Sequence, residues 1–312
     1  MLYAQDLIEV LCAAHLSALV ESPYEERGGI MLIGPPGVLK STFLEELDRQ
    51  YSDALSLTDL NAKALTTLRD RISGGTIRTL VFPEFAKLYE RKDDTAANLE
   101  GSLRAIAAEG FRSASFEDQQ INRIRARALV LGAMTPATQT RRFTAWEESG
   151  FNRRFLWPLI RLAEPGVLED AVMEWRRIDF RVKHVPQAPL SGGRIPNSTT
   201  RDERMRMRVL CKYQPGASAT QQVQLMVKIL AVLKWWYDQI QSPRNPMEVM
   251  ESFGEALGKD GAELMLRPIP ASVRRRVRQK EYRVKLHEAG RVLSRQGQRT
   301  KAAKKKRRKV KR

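Results

Sequence analysis

The sequence predicts an α/β fold in which a five-stranded, mostly parallel sheet is sandwiched by helices. Short apolar segments alternate with segments of helical spacing over residues 26–165, and such alternation is typical of parallel strands joined by crossover helices. The first apolar segment ends in a glycine-rich turn that leads directly into a helical segment. The hydrophobic fraction of 42% is sufficient for a substantial core.

The first predicted elements are a helix and a strand. Residues 3–21 carry apolar side chains at helical spacing, so these side chains can share one helix face. The run GGIMLIG, which glycines bound on both sides, predicts a buried strand, and STFLEELDRQY after it has a helical pattern. The turn between them therefore connects a strand to a helix. The apolar residues of the first helix are Leu7, Ile8, Leu11, Cys12, Leu16 and Leu19.

Further strands and helices follow in alternation. A stretch rich in Pro, Gly and Ser, residues 184–202, is interpreted as a loop or linker, and helical segments resume after it. The predicted strands are 54–58, 77–82, 127–134 and 154–162; the helices between them are 60–73, 85–109 and 139–150; and the later helices are 203–213, 217–241 and 246–258.

The turn after the first strand reads GPPGVLKST and nearly fits the phosphate-binding pattern G-x-x-x-x-G-K-[ST]. Leu39 stands where the pattern has its second glycine. N–H groups at a helix N-terminus bind phosphate oxygens, Lys40 adds a positive charge, and the Ser41 hydroxyl holds Mg²⁺. An ordinary glycine turn is the alternative interpretation. The residues predicted to bind ATP are Gly34, Pro35, Pro36, Gly37, Val38, Leu39, Lys40, Ser41 and Thr42.

With this loop and five strands in place, residues 26–165 resemble the AAA+ ATPases, a superfamily of ring- or filament-forming phosphate-loop proteins. The amino-acid sequence of the loop and the segment SGFNRRF also resemble those of ATPases from phages and other mobile elements. The resemblance implies that strand 127–134 lies between the loop strand and strand 77–82. It also implies an ATPase core at 26–165 and an all-helical lid at 203–266, while the residue patterns themselves indicate an N-terminal helix at 1–25, a linker at 166–202 and a basic tail at 267–312.

The second signature of that superfamily is an apolar strand that ends in Asp-Glu. Here the sequence reads TLVFPEF, with Pro83 in the Asp position and Glu84 in the Glu position. The resemblance implies that Glu84 activates the attacking water. Without the Asp, Mg²⁺ binding is weakened or Glu84 shares both roles. The alternative interpretation is that Glu84 is a solvated residue that caps the following helix. Asp59, at the end of strand 54–58, is a candidate substitute for the missing Asp. In this fold, however, that strand is expected at the sheet edge, too far from the phosphates.

Two later positions match catalytic positions of the superfamily. Thr135 follows strand 127–134, where a polar residue contacts the γ-phosphate, and a helix N-cap is an equally strong interpretation. Arg153 and Arg154 precede the last strand, where an arginine reaches the nucleotide of a neighbouring subunit, and Arg154 is slightly favoured. The alternative for the arginines is a surface pair with Glu147 or Glu148.

The net charge of the chain, +18, is concentrated at one end. From Arg267 to Arg312 there are 20 Lys and Arg but only the two acids Glu281 and Glu288, so the first 266 residues are neutral overall. Such a tail predicts phosphate contacts with a nucleic acid, DNA more than RNA, although KKKRRKVKR also resembles a nuclear-import signal and a solvated charge run is the alternative. The predicted contacts are Arg274, Arg275, Arg276, Lys304, Lys305, Lys306, Arg307 and Arg308.

Three functions are compatible with these features. The first is an AAA+-type ATPase that acts on DNA in replication initiation, helicase loading or DNA remodelling for a mobile element, with a helicase or initiator protein as a candidate partner. The second is a nucleic-acid translocase, either a helicase or a packaging motor. The third is a nucleotide-binding assembly switch with little hydrolysis.

The sequence also predicts where the protein acts. No apolar run reaches the roughly 18 residues of a membrane span, and the N-terminus lacks a signal-peptide pattern. Cys12 and Cys211 form no metal or redox motif. We therefore expect a cytoplasmic protein of a bacterium or virus-infected host, or a nuclear one if the host is eukaryotic.

Overall fold

The computed structural model describes residues 2–60, 62–89, 93–110, 125–161, 186–189, 193–216 and 220–265. All of them belong to one compact unit, Met1–Leu266. Most of the predicted linker, the whole tail from Arg267 and its eight predicted nucleic-acid contacts lie outside the described residues.

Strands and helices alternate through the first half of the chain, as the sequence predicts. The strands are β1 (Leu2–Tyr3), β2 (Gly29–Ile33), β3 (Ala54–Ser56), β4 (Thr79–Phe82), β5 (Leu129–Met134), β6 (Phe155–Leu156), β7 (Ile160–Arg161) and β8 (Ala262–Met265). The α-helices are α1 (Ala4–Leu16), α2 (Lys40–Gln50), α3 (Ala62–Ser73), α4 (Asp93–Ala107), α5 (Pro136–Glu148), α6 (Arg201–Leu210), α7 (Thr220–Gln239) and α8 (Pro246–Ala256).

The main sheet has five parallel strands in the order β3-β4-β5-β2-β6. This confirms the predicted α/β class with a mostly parallel sheet flanked by helices. Strand β5 lies between β2 and β4, and β3 is an edge strand, as the family resemblance implies. The carboxyl ends of β2, β4 and β5 therefore meet at one edge of the sheet, which is where ligands bind in open α/β folds.

Strand β2 is apolar on both faces because helices cover both faces of the sheet. Ile30 and Leu32 belong to a core that also contains residues of α1, α2, α7 and α8. Met31 and Ile33 belong to a second core with residues of α3, α4 and α5. Alternate side chains of a strand point to opposite faces, so the run GIMLI anchors the loop that follows it from both sides.

The predicted strand 154–162 is wrong as a single element. Strands β6 and β7 are separate, because Pro158 between them has no N–H group for a strand ladder. Strand β6 joins the main sheet, whereas β7 pairs with β8, and β8 also pairs with β1. These three form a second parallel sheet that the sequence does not predict.

The expectation that residues 203–266 are all-helical is wrong at their end, where β8 lies. Helices α6, α7 and α8 form close to their predicted positions. Residues of α7 and α8 share one core with α1 and with strands of the main sheet. The helices therefore help to cover a face of that sheet within the same compact unit.

The predicted helix 85–109 also differs, because a short 3₁₀ segment, Phe85–Tyr89, precedes α4. Helix α5 begins earlier than predicted, with Pro136 in its first turn, where a missing N–H group costs nothing. Among the described residues, no helix is long and apolar enough to span a membrane.

Two buried carboxylates of α1 pair with α7 and with the turn between α7 and α8. The Arg244 guanidinium donates to the carboxylates of Asp6 and Glu9, and the Tyr237 hydroxyl donates to Glu9. Burial raises the pKa of Glu9, although Arg244 opposes this shift. Asp6 and Glu9 are buried, and leaving either carboxylate unpaired in the interior would destabilise the fold, so this network helps to hold α1 in place.

Candidate nucleotide-binding site

The glycine-rich loop lies where the sequence predicts it, between β2 and α2 at the carboxyl edge of the main sheet. The N–H group of Gly34 donates to the carbonyl of Met134, the last residue of β5, at 3.3 Å. The first residue of the loop is thus held beside the neighbouring strand, and the helix that follows directs its N-terminus into this region.

Leu39 adopts the left-handed backbone conformation, with φ 56° and ψ 15°, directly before α2. This residue occupies the position at which the loop pattern has a glycine, and glycine adopts that conformation without strain. For an L-residue such as leucine the left-handed region costs about 1–2 kcal/mol. The half-buried Leu39 side chain packs against the core that contains α1 and α2, and this contact offsets part of the strain.

Gly34 and Gly37 are required for different reasons. A Cβ atom at Gly34 would lie 2.7 Å from the Ile160 carbonyl oxygen, so no larger residue fits there without a backbone shift. Gly37 has φ +84°, and a Cβ atom at this position would meet nothing within 4 Å. The loop is therefore packed closely at its start and faces open space near its middle.

The Lys40 ammonium is turned back onto the loop. Its Nζ atom donates to the carbonyls of Gly34 at 2.8 Å and Pro35 at 2.7 Å. The side chain is largely buried, and this burial lowers the pKa of Lys40. Two neutral carbonyls offset the loss of water around an ammonium only in part, so an incoming phosphate would offer this group a stronger partner.

The Ser41 hydroxyl connects the loop to β4. It donates to the carbonyl of Pro83 at 2.8 Å, and Pro83 is the residue that stands in the Asp position of the second signature. The Ser41 oxygen retains lone pairs for a cation, but Pro83 provides no carboxylate beside it. Among the described residues no group of three or more His, Cys, Asp or Glu side chains could hold a metal ion.

Glu84 lies at the end of β4, at the same sheet edge as the loop. Its side chain is 55% exposed and forms an ion pair with Lys87, and its carbonyl accepts the Lys87 N–H group at 3.1 Å. The residue therefore starts the 3₁₀ turn after β4 and keeps a solvated carboxylate there.

Thr135 is the N-cap of α5. Its Oγ1 atom accepts the N–H group of Thr138 at 3.4 Å and lies 3.1 Å from the Thr138 hydroxyl. The capping interpretation is therefore correct. Thr135 also follows Met134, whose carbonyl accepts from Gly34, so this hydroxyl belongs to the segment that borders the loop.

The two arginines before β6 have different surroundings. Arg154 donates to the Glu109 carboxylate at 2.8 Å and to the Gly150 carbonyl at 2.6 Å. Its partner is Glu109 and not Glu147 or Glu148, which the sequence suggested.

Arg153 is exposed and packs along Gly216, where a Cβ atom would lie 2.6 Å from its Cγ. It forms no ion pair with any residue that the structure describes. Of the two guanidiniums, Arg153 is the one that remains available to an external anion.

Both arginines are far from the loop of their own chain. Phe155 is in register with Gly29 in the parallel pair of β2 and β6. The loop begins at Gly34, five residues further along β2, which corresponds to roughly 17 Å of strand. An arginine at this position therefore cannot reach the loop of the same chain.

A separate cavity of about 550 Å³ lies between α7 and the start of α8. It contains two cations, but Lys234 is bound by Glu203 and Arg244 by Asp6 and Glu9. Its positive charges are thus already neutralised, and we do not assign nucleotide binding to it.

Sequence reasoning missed the contacts of Ser41 with Pro83 and of Arg154 with Glu109. The first involves a backbone carbonyl, which any residue provides, and the second joins positions 45 apart in sequence. A scan against protein-family models finds no matching family, and a search of curated proteins finds no match to this sequence. The site is therefore interpreted from its own geometry.

Proposed function

We propose that the protein binds ATP with Mg²⁺ at Gly34–Thr42 and hydrolyses it as an AAA+-type ATPase that acts on DNA. The observation that carries this proposal is the loop geometry. A left-handed Leu39 directs the backbone into the N-terminus of α2, and Lys40 follows it at the carboxyl edge of the sheet. The strand order β3-β4-β5-β2-β6 supports the proposal because it agrees with the order expected for this superfamily.

In this proposal the protein contributes mainly charge and orientation. Loop N–H groups and the start of α2 bind phosphate oxygens. The Lys40 ammonium exchanges the carbonyls of Gly34 and Pro35 for phosphate oxygens. Bound Mg²⁺ would neutralise phosphate charge, and Ser41 is the side chain that would hold it.

Three further residues have proposed catalytic roles. Glu84 accepts a proton from the attacking water, which requires that it release Lys87, and Thr135 orients that water. Arg153 supplies positive charge to a nucleotide bound by a neighbouring copy, because its distance excludes its own site. The proposal therefore includes self-association into a ring or filament.

The tail supports the nucleic-acid part of the proposal. Its 20 basic residues against two acids make a salt-sensitive phosphate-binding segment. Replacing the eight predicted contacts by glutamine should weaken binding of a DNA duplex in filter assays and reduce its salt dependence. Unchanged binding would contradict the role of the tail.

Phosphate release with and without DNA tests the catalytic proposal. The wild-type protein should release phosphate from ATP, while Lys40→Ala and Glu84→Gln should lose activity. Lys259→Ala and Glu148→Gln remove exposed groups of the same type elsewhere on the fold and should retain activity. Normal turnover by Glu84→Gln would remove Glu84 from the catalytic role.

A second candidate is a nucleotide-binding assembly switch with little hydrolysis. It is favoured by Pro83, which provides no carboxylate beside Ser41, and by the pairing of Glu84 with Lys87. A switch would bind ATP and change its sedimentation without appreciable phosphate release. An ATPase would show turnover that depends on Lys40 and Glu84.

A further inference from the structure

Helix α6 and the turn after it expose three large apolar side chains that are spaced four residues apart. Met205, Val209 and Tyr213 are 52%, 56% and 56% exposed. Met205 and Val209 are four residues apart and lie on one side of the helix, and Tyr213 lies four residues further on, in the turn that follows the C-cap Cys211. Met205 and Val209 are separated by about 6 Å along the axis. We call these three residues the apolar stripe.

The opposite side of α6 is firmly attached to the fold, so the exposure does not arise from a loose helix. Met207 and Cys211 are fully buried. At the N-terminus, Thr200 and Glu203 form a capping box, and Glu203 also accepts from Lys234 at 3.1 Å. The apolar stripe is therefore presented on a rigid support.

Positive charge surrounds the apolar stripe. Arg201, Arg208 and Lys212 are exposed and form no ion pairs within the described part of the chain. Lys212 lies 4.6 Å from the centre of the Tyr213 ring. Of the acids in this helix, Glu203 is already neutralised by Lys234, which leaves Asp202 in the first turn. The rim of the stripe thus carries net positive charge.

We infer that the apolar stripe docks an acidic amphipathic helix of a partner protein. Met, Tyr and Arg are enriched at the centres of protein interfaces, and apolar residues four apart match the period of a second helix. The basic rim selects a partner whose apolar residues are flanked by Asp or Glu. The stripe has one aromatic ring, whereas strands of nucleic acid usually stack on several. The inference does not depend on nucleotide binding.

A synthetic helix provides the probe. The peptide has about 15 residues, the length at which isolated helices become populated, with leucine at intervals of four and three and glutamate elsewhere. A scrambled peptide of identical composition controls for attraction to the basic tail. Fluorescence anisotropy with the full chain should show that the amphipathic peptide binds at least tenfold more tightly than the scrambled one.

Substitutions locate the binding. Val209→Asp and Arg208→Glu should each abolish the tenfold preference, and Ile240→Asp, which alters an exposed apolar residue elsewhere, should retain it. Equal binding of both peptides overturns the proposal. Direct binding of single-stranded DNA that Val209→Asp weakens would assign the stripe to nucleic acid, and loss of self-association in Val209→Asp by sedimentation would assign it to a second copy. Each of these results also overturns the proposal.

Discussion

Replacing Leu39 by glycine and by alanine separates the backbone strain of the loop from the packing of its side chain. Both replacements remove the half-buried side chain, whose contact with the core is worth about 1 kcal/mol if half of a full leucine burial is counted. Alanine keeps the left-handed strain, whereas glycine removes about 1–2 kcal/mol of it. Glycine also makes the unfolded chain more flexible, which costs about 0.5–1 kcal/mol.

These contributions predict different outcomes for the two variants. Leu39→Ala should lower the free energy of unfolding by about 1 kcal/mol, because only packing is lost. Leu39→Gly should lie between about 1 kcal/mol below and about 0.5 kcal/mol above the wild-type protein, and so above Leu39→Ala by up to about 1.5 kcal/mol, because relief of strain offsets the losses.

Urea unfolding followed by tryptophan fluorescence measures both variants, with Val38→Ala as a control for lost packing at a neighbouring buried site. If Leu39→Gly is less stable than Leu39→Ala, the left-handed conformation at this position is refuted.

Three other properties follow from the structure. Arg154→Ala should destabilise the fold by about 1 kcal/mol through lost hydrogen bonds. Arg153→Ala should leave urea unfolding unchanged and lower ATP turnover. The reverse result would give Arg153 the structural role and Arg154 the role in turnover. Burial lowers the pKa of Lys228 from 10.5 to about 8, so as pH rises the folded state loses this proton before the unfolded state does. The free energy of unfolding of the wild-type protein should therefore increase relative to that of Lys228→Met between pH 8 and 10.5. A difference in unfolding free energy that does not change with pH would contradict this shift. Burial raises the pKa of the Cys12 and Cys211 thiols to about 12, so a thiol reagent should modify neither residue before unfolding, and rapid modification of the native protein would contradict their burial.

Much of the main sheet could be predicted from the sequence because its signals are local. An apolar run between glycines, followed at once by a helical pattern, predicts the strand, loop and helix around Lys40. The elements β3, β4 and β5 also read as short apolar runs, and they form near the predicted positions. Their order in the sheet was expected from the family resemblance and not from any pattern of residues.

The remaining features depend on contacts between distant residues. Strand β8 has only four residues, which is too short for a clear strand pattern in the sequence. It forms because it pairs with β1 on one side and β7 on the other, and both are distant in sequence. The left-handed conformation of Leu39 also contradicts local preference, because leucine rarely adopts it. Tertiary packing maintains that conformation. The sequence pattern shows only that leucine replaces a glycine at position 39 and does not predict the backbone conformation there.

Titration calorimetry of the 312-residue chain with magnesium-ATP tests the central claim most directly. Wild-type protein should show saturable binding, and Lys40→Ala, which lacks the ammonium that now bonds to Gly34 and Pro35, should bind at least tenfold more weakly, or about 1.4 kcal/mol. Lys259→Ala should bind like wild type. Absence of binding to folded wild-type protein would contradict the assignment of this loop to a nucleoside triphosphate.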